Sequence, residues 1–263
     1  MLRWNRPPGS NVNGVGISSY AAAMPPKLAV PETARRRRRP TKHGTVLSHE
    51  LIVATALRML AEHGAEGLSA RRLGLALGAD PSTVYRYFAG MDDLVLAIAD
   101  ELIHRALDGW EPTGRWRADL RALGTRIHRA YLAHPQAAQL TANRVSGRSH
   151  EIAADETILG ILHGAGFRGA AAVRVYHAFI DQTLAFAALD AASLALPDEA
   201  READERQWQA TYAQLPRTTH PHIAEAAPLL VARMNDSAYP AALDLLLAGA
   251  AAELGNSHQG KLN

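Results

Sequence analysis

Residues 78–88 read Gly-Ala-Asp-Pro-Ser-Thr-Val-Tyr-Arg-Tyr-Phe, and this stretch decides the fold. Gly78 permits the positive φ of a tight turn. Asp80 and Pro81 follow as N-cap and first helical residue, the preferred pair for opening a helix. The helix predicted over 81–88 is only two turns long. Ser82, Thr83 and Arg86 make one side polar, and Val84, Tyr87 and Phe88 anchor the other. Just upstream, Ser69 caps a predicted helix over 69–77 that buries Leu73 and Ala76 and carries Arg71 and Arg72 near its start. Upstream again, Ser48 caps a helix predicted over 48–63, with Glu50 at its positive end. Ile52, Ala56, Leu57 and Leu60 form its apolar stripe, and Gly64 stands just beyond its end.

Helix, Gly-containing turn, short helix is a helix-turn-helix. Corners of this outline occur in many folds, so composition carries the reading. Ser82, Thr83, Tyr85 and Arg86 can all hydrogen-bond, yet they sit on a helix too small to add much to a core. Such a helix fits a major groove.

Over residues 48–103 the chain resembles the DNA-binding domain of TetR family transcriptional regulators. The resemblance rests on Ala56-Leu57, Leu60, Gly64, Leu73, Gly78, Asp80-Pro81-Ser82, Val84-Tyr85-Arg86-Tyr87-Phe88 and Asp93-Leu94. It implies that Tyr85 contacts a phosphate near the end of the recognition helix. It places Pro81, Ser82 and Thr83 at base edges, and Arg86 at a base or a phosphate. Ser69 and Arg71 match the phosphate-facing start of the second helix, and Tyr87 and Phe88 the small core beneath. There are two departures. Met91 stands where family members usually carry Lys, and Gly74 where they carry Ala; on propensity alone Gly74 weakens its helix by roughly 1 kcal/mol.

Working outward, the amino-terminal side is basic. The net charge of the 263-residue chain is +2, but residues 1–45 carry nine Lys or Arg against Glu32 alone, so +8 there leaves −6 for the rest. Residues 1–44 lack any period and end near the run Arg35, Arg36, Arg37, Arg38 and Arg39. They read as a disordered arm that could follow phosphates or enter a minor groove, and Met24 is an alternative start. An arm of this sign points to an anionic polymer. The bland alternative is a solvated tail.

On the carboxy-terminal side the chain is helical in pattern almost to its end, with Ala dominating an apolar share of 48% and only 6% aromatic residues. The fold class is therefore all-α. We expect a DNA-binding domain over 45–105 (helix-turn-helix at 69–88), a helical effector-binding and dimerisation domain over 106–255, and a flexible tail over 256–263. Helices are expected near 91–108, 117–133, 151–165, 170–190, 200–215, 221–234 and 240–254. The helix from Ala170 is apolar nearly all round, with Val173, Ile180 and Leu184 on one face and Val175, Phe179 and Phe186 on another; the last helix is similar. A helix of this kind needs covering twice, most simply by a second copy.

Residues 117–190 resemble more loosely the regulatory domain of the tetracycline repressors, through His134-Pro135, Asn143-Arg144, Ala165-Gly166-Phe167 and Phe179. That resemblance suggests an effector pocket near His128, Asn143, Arg144, His177, Gln182 and Phe186. Leu140 and Phe186 stand where that group has a His and a Glu near drug-bound magnesium, so the expected effector is another apolar or amphipathic small molecule. No cysteine is present, and no zinc or phosphate-loop motif or Ser-His-Asp order appears, so no metal, cofactor or catalytic residue is expected. No run of 18 uninterrupted apolar residues or signal-peptide pattern is present, which predicts a cytoplasmic protein without a membrane partner. The expected function is a homodimeric, ligand-responsive repressor on a palindromic operator of double-stranded DNA. Two alternatives stay open: an all-α enzyme with an incidental corner, and a constitutive DNA-binding protein without ligand.

Overall fold

The computed structural model describes residues 46–259. The basic arm, with Arg35 to Arg39, lies outside the described residues. Among these residues there is no strand. Helix α1 spans His49–Gly67, capped by the Ser48 hydroxyl, which accepts from the Leu51 N–H at 3.2 Å. It bends where Gly64 takes a φ of 65°, the break expected there, and gains one further turn. Helix α2, Ala70–Leu77, starts at the expected cap Ser69 and ends at Gly78 with φ 62°.

The recognition segment differs from expectation. Pro81–Arg86 is a 3-10 helix rather than an α-helix reaching Phe88. Its bonds run three residues back, from Thr83 N–H to the Asp80 carbonyl and from Tyr87 N–H to the Val84 carbonyl. Helix α3 (Met91–Leu107) leads out of the reading head. The body comprises α4 (Trp116–Leu132), α5 (Pro135–Thr141), α6 (Ser149–Ala165), α7 (Gly169–Ala195), α8 (Asp198–Tyr212), α9 (Pro221–Arg233) and α10 (Tyr239–Gln259). Helix α5 is additional to the elements predicted, and α10 runs four residues into the expected tail.

One apolar cluster runs from Leu47 to Ala250 without a break between head and body. Helix α4 lies at its centre, against α3, α6, α7 and α10, while α8 packs on α9. Helix α7 is long and apolar enough to cross a membrane by length and composition. Its Ala172, Val175, Phe179, Thr183, Ala187 and Ala191 are instead buried in the bundle. Met91 packs against the cluster, so this residue serves packing where the family has a basic group.

Candidate nucleic-acid interface

The reading head is assembled by short-range bonds. The Gly78 N–H donates to the Leu75 carbonyl at 3.1 Å and the Ala79 N–H to the Gly74 carbonyl at 2.9 Å, closing α2. A Cβ on Gly74 would lie 3.0 Å from the Ala79 carbonyl oxygen and from Pro81 N and Cα. Gly74 is thus the point where α2 touches the start of the recognition helix, and propensity alone misjudges it. Asp80 caps that helix, its carboxylate accepting the Ser82 N–H at 2.8 Å. The Ser82 hydroxyl, and after it the Ser82 N–H, hold the Asp80 carboxyl below its usual pKa.

Val84 and Phe88 are buried beneath, so the opposite side faces solvent. Ser82, Tyr85 and Arg86 are exposed, and Pro81 and Thr83 are half-buried beside them. On α2, Arg71 is exposed. Ser69 is half-buried, and its oxygen accepts the Arg72 N–H at 3.3 Å. A serine oxygen that accepts a cap bond keeps its own proton, so Ser69 can still donate to a phosphate. Tyr87 donates to the Leu47 carbonyl at 2.9 Å and meets His49 edge-on. The chain therefore enters α1 fastened to the end of the recognition segment.

The expected effector residues are not gathered in one place. His128 is buried, 2.8 Å from the Asp190 carboxylate, and stacked on the Tyr239 ring with centroids 4.4 Å apart. Phe186 lies against the same tyrosine at 5.8 Å. Gln182 is half-buried on α7, whereas His177 is exposed and edge-on to Tyr176. Nine residues at 100° each put His177 and Phe186 on opposite sides of α7. Asn143 is exposed, and Arg144 pairs with Asp92 at 2.8 Å.

That last contact belongs to a set for which the sequence reading had no signal. Three carboxylates of α3 hold the segment entering α6. Asp92 takes Arg144, Asp93 takes Arg148, and Asp100 takes the N-terminus of α6 itself. Asp100, 7% exposed, accepts the His150 and Glu151 N–H groups at 3.0 and 2.9 Å and lies 2.8 Å from His150 Nδ1. The N-cap residue of α6, Arg148, makes no side-chain cap bond. The cap comes from α3, 50 residues away. Elsewhere on α3, Arg105 donates to His134 Nε2 at 2.7 Å; burial, and then this guanidinium, lower the His134 pKa.

A capped two-helix corner with exposed hydroxyls and guanidiniums, continuous with a helical body, defines a helix-turn-helix DNA-binding protein. Residues 52–98 match the model of the bacterial regulatory proteins of the TetR family, and residues 109–254 that of the tetracyclin repressor-like C-terminal domain. The chain belongs to the TetR family of transcriptional regulators. A helix-turn-helix-type transcriptional regulator of Saccharopolyspora erythraea is 29% identical over 122 residues, 46% of this chain and 52% of that protein. The chain thus spans about half the length of that curated relative. A possible TetR family regulator of Streptomyces coelicolor A3(2) superposes with a TM-score of 0.65 at 27% identity, over 78% of this chain and 99% of the other. The ActR protein of Streptomyces coelicolor, solved with actinorhodin, has the same fold, with a TM-score of 0.71 at 22% identity over 80% and 98%.

Proposed function

We propose that the protein is a homodimeric repressor that reads a pseudo-palindromic DNA operator and releases it when a small apolar or amphipathic effector binds the body. The reading head spans 45–105, the body 106–255, the basic arm 1–44 and a short tail 256–263, and the site of action is the cytoplasm. One observation carries the ligand-responsive part: α3 is fastened to the body at Asp92, Asp93 and Asp100, so α6 and the head move together. An effector that favours the displaced arrangement weakens operator binding by that difference in affinity and no more. ActR, alike in fold, is solved in complex with actinorhodin, which supports a body that takes a small molecule.

The homodimer is supported by apolar residues left outside the core. Val173, Leu189 and Leu194 on α7 and Leu245 on α10 are exposed, although each helix also carries buried residues. Large apolar side chains on adjoining helices mark a contact with another molecule. Two heads held this way require half-sites one helical turn, or a multiple, apart.

Tyr85, Ser69 and Arg71 are assigned to phosphates, Pro81, Ser82 and Thr83 to base edges, and Arg86 to either. The pocket is assigned to the surroundings of His128, Gln182 and Phe186, with Asn143, Arg144 and His177 outside it. Selection of DNA fragments by the purified chain tests this assignment. Tyr85→Phe weakens all sequences alike, whereas Thr83→Ala relaxes one or two base pairs by roughly 1–3 kcal/mol. An unchanged selected sequence for Thr83→Ala sinks the base contact.

The arm has its own signature. Deleting residues 1–40 lowers affinity at low salt and flattens the salt dependence by roughly 0.9 per phosphate neutralised. A slope equal to that of the full chain identifies the arm as idle.

A further inference from the structure

The outer face of α4 presents a feature that the repressor reading does not use. Arg115, Arg117, Arg121, Arg126 and Arg129 fall within fifteen residues and, with Trp116, rim an open groove of about 820 Å³. Ala118 and Ala122 lie in its floor. The opposite face of the helix, with Leu120, Leu123 and Ile127, is wholly buried. This concentration of positive charge sits in a body that is otherwise acidic, −6 beyond residue 45.

The five guanidiniums are not in the same state. Arg126 donates to the Ala106 and Asp108 carbonyls, both at 2.6 Å, and so ties down the C-terminal end of α3. Arg121 pairs with Asp244 of α10 at 2.6 Å. Arg117 and Arg129 have no ion pair or side-chain hydrogen bond among the described residues. The nearby Asp119 is buried, its Oδ1 accepting the Thr113 N–H and hydroxyl at 2.9 and 2.7 Å, and the guanidinium that acts on its carboxyl is that of Arg115.

We propose that this groove is a regulatory site for an amphipathic organic anion, a flat apolar body bearing two carboxylates. The alanine floor and Trp116 take the apolar body, and guanidiniums take carboxylates in paired, planar geometry. Arg117 and Arg129 are twelve residues apart, roughly 18 Å along the helix axis and a third of a turn around it, so a shorter rigid ligand with a charge at each end reaches both only where the two long side chains lean toward each other. A carboxylate that takes Arg121 replaces Asp244, like for like, so the exchange costs little and the two free arginines supply the affinity. The consequence rests on the ligand-responsive reading above. Drawing Arg121 from Asp244 loosens the hold of α4 on α10, the candidate dimer helix, and through the dimer the spacing of the two heads.

The test is calorimetric titration of the full chain with biphenyl-4,4′-dicarboxylate, beside Arg117→Gln/Arg129→Gln. Both side chains are exposed and unpaired, so the variant folds as the parent does. The expected result is saturable binding, one per chain, weakened about tenfold or more in the variant and by added salt, with uncharged 4,4′-bis(hydroxymethyl)biphenyl silent. The dicarboxylate should also lower operator affinity of the parent and not of the variant. Equal binding by both proteins, or none by the parent, overturns the site. Binding that leaves operator affinity unchanged overturns its regulatory role. A variant that sediments differently from the parent shows instead that the face is a contact between copies. If the parent binds no operator even without the dicarboxylate, the repressor reading fails by itself while the titration still decides the site.

Discussion

Gly124→Ala lowers the stability of the fold by roughly 1–3 kcal/mol, opposite in sign to what helix propensity implies. Inside a helix, alanine is better than glycine by roughly 1 kcal/mol. Here a Cβ on Gly124 would stand 2.4 Å from the Tyr239 hydroxyl and 3.0 Å from the Phe179 ring. Neither ring can yield freely, because both are completely buried. Thr183 donates to the Phe179 carbonyl at 2.7 Å, which leaves the Tyr239 hydroxyl as donor in the 2.9 Å bond between Tyr239 and Thr183. Making room breaks that bond and lifts the first residue of α10 from α4. Overpacking of this kind costs roughly 1–3 kcal/mol, and the lost hydrogen bond about 1 kcal/mol more. Denaturant unfolding measures the change. Adding Tyr239→Phe removes the nearest atom, so the double variant should recover a large part of the loss although Tyr239→Phe alone destabilises. A Gly124→Ala protein at least as stable as the parent would refute the contact.

Asp100→Ala should cost about 3 kcal/mol and divide the protein thermally. It removes the acceptor of two N–H groups at the start of α6 and the partner of the His150 ring. A lost N-cap costs roughly 0.5–2 kcal/mol. A bond to a charged group is worth roughly 1.5–3 kcal/mol, and the abandoned N–H groups are poorly placed for water. The loss falls on the joint between head and body, so calorimetry should show the single transition of the parent separate into two. Asp100→Asn keeps an acceptor oxygen for the two N–H groups and should lose less than half as much. A single, barely shifted transition in Asp100→Ala would show that the joint is held elsewhere, by Arg144 and Arg148.

Some elements were legible because their causes are local. Ser48, Ser69 and Asp80 each bond a backbone N–H two or three residues on, and Gly64 and Gly78 take the positive φ their positions announce. Of the second apolar face read on α7, Val173 is exposed, whereas Ile180 and Leu184 pack half-buried against the core. Helix α5 shows no pattern in the sequence because seven residues are too few for a period. His134-Pro135 in fact opens that helix as Asp80-Pro81 opens the recognition segment. A resemblance of short motifs carries no helical phase, and nine residues on one helix turn His177 away from Phe186.

The sequence by itself determined most of the helices, the caps Ser48, Ser69 and Asp80, the residue types exposed on the short helix and the contrast between a basic arm and an acidic body. Each depends on neighbours within about a turn or on composition, which the chain carries whatever its fold. Only the tertiary structure decided what Gly74, Asp100 and Gly124 are for. Gly74 lets α2 meet Pro81, Gly124 admits the Tyr239 hydroxyl, and Asp100 caps a helix that begins 49 residues later. In the sequence Asp100 and Gly124 look like ordinary members of a helix, and Gly74 like a weak point in one. Their roles come from close packing between segments distant in the chain, where a single methyl group or carboxylate has only one place to fit.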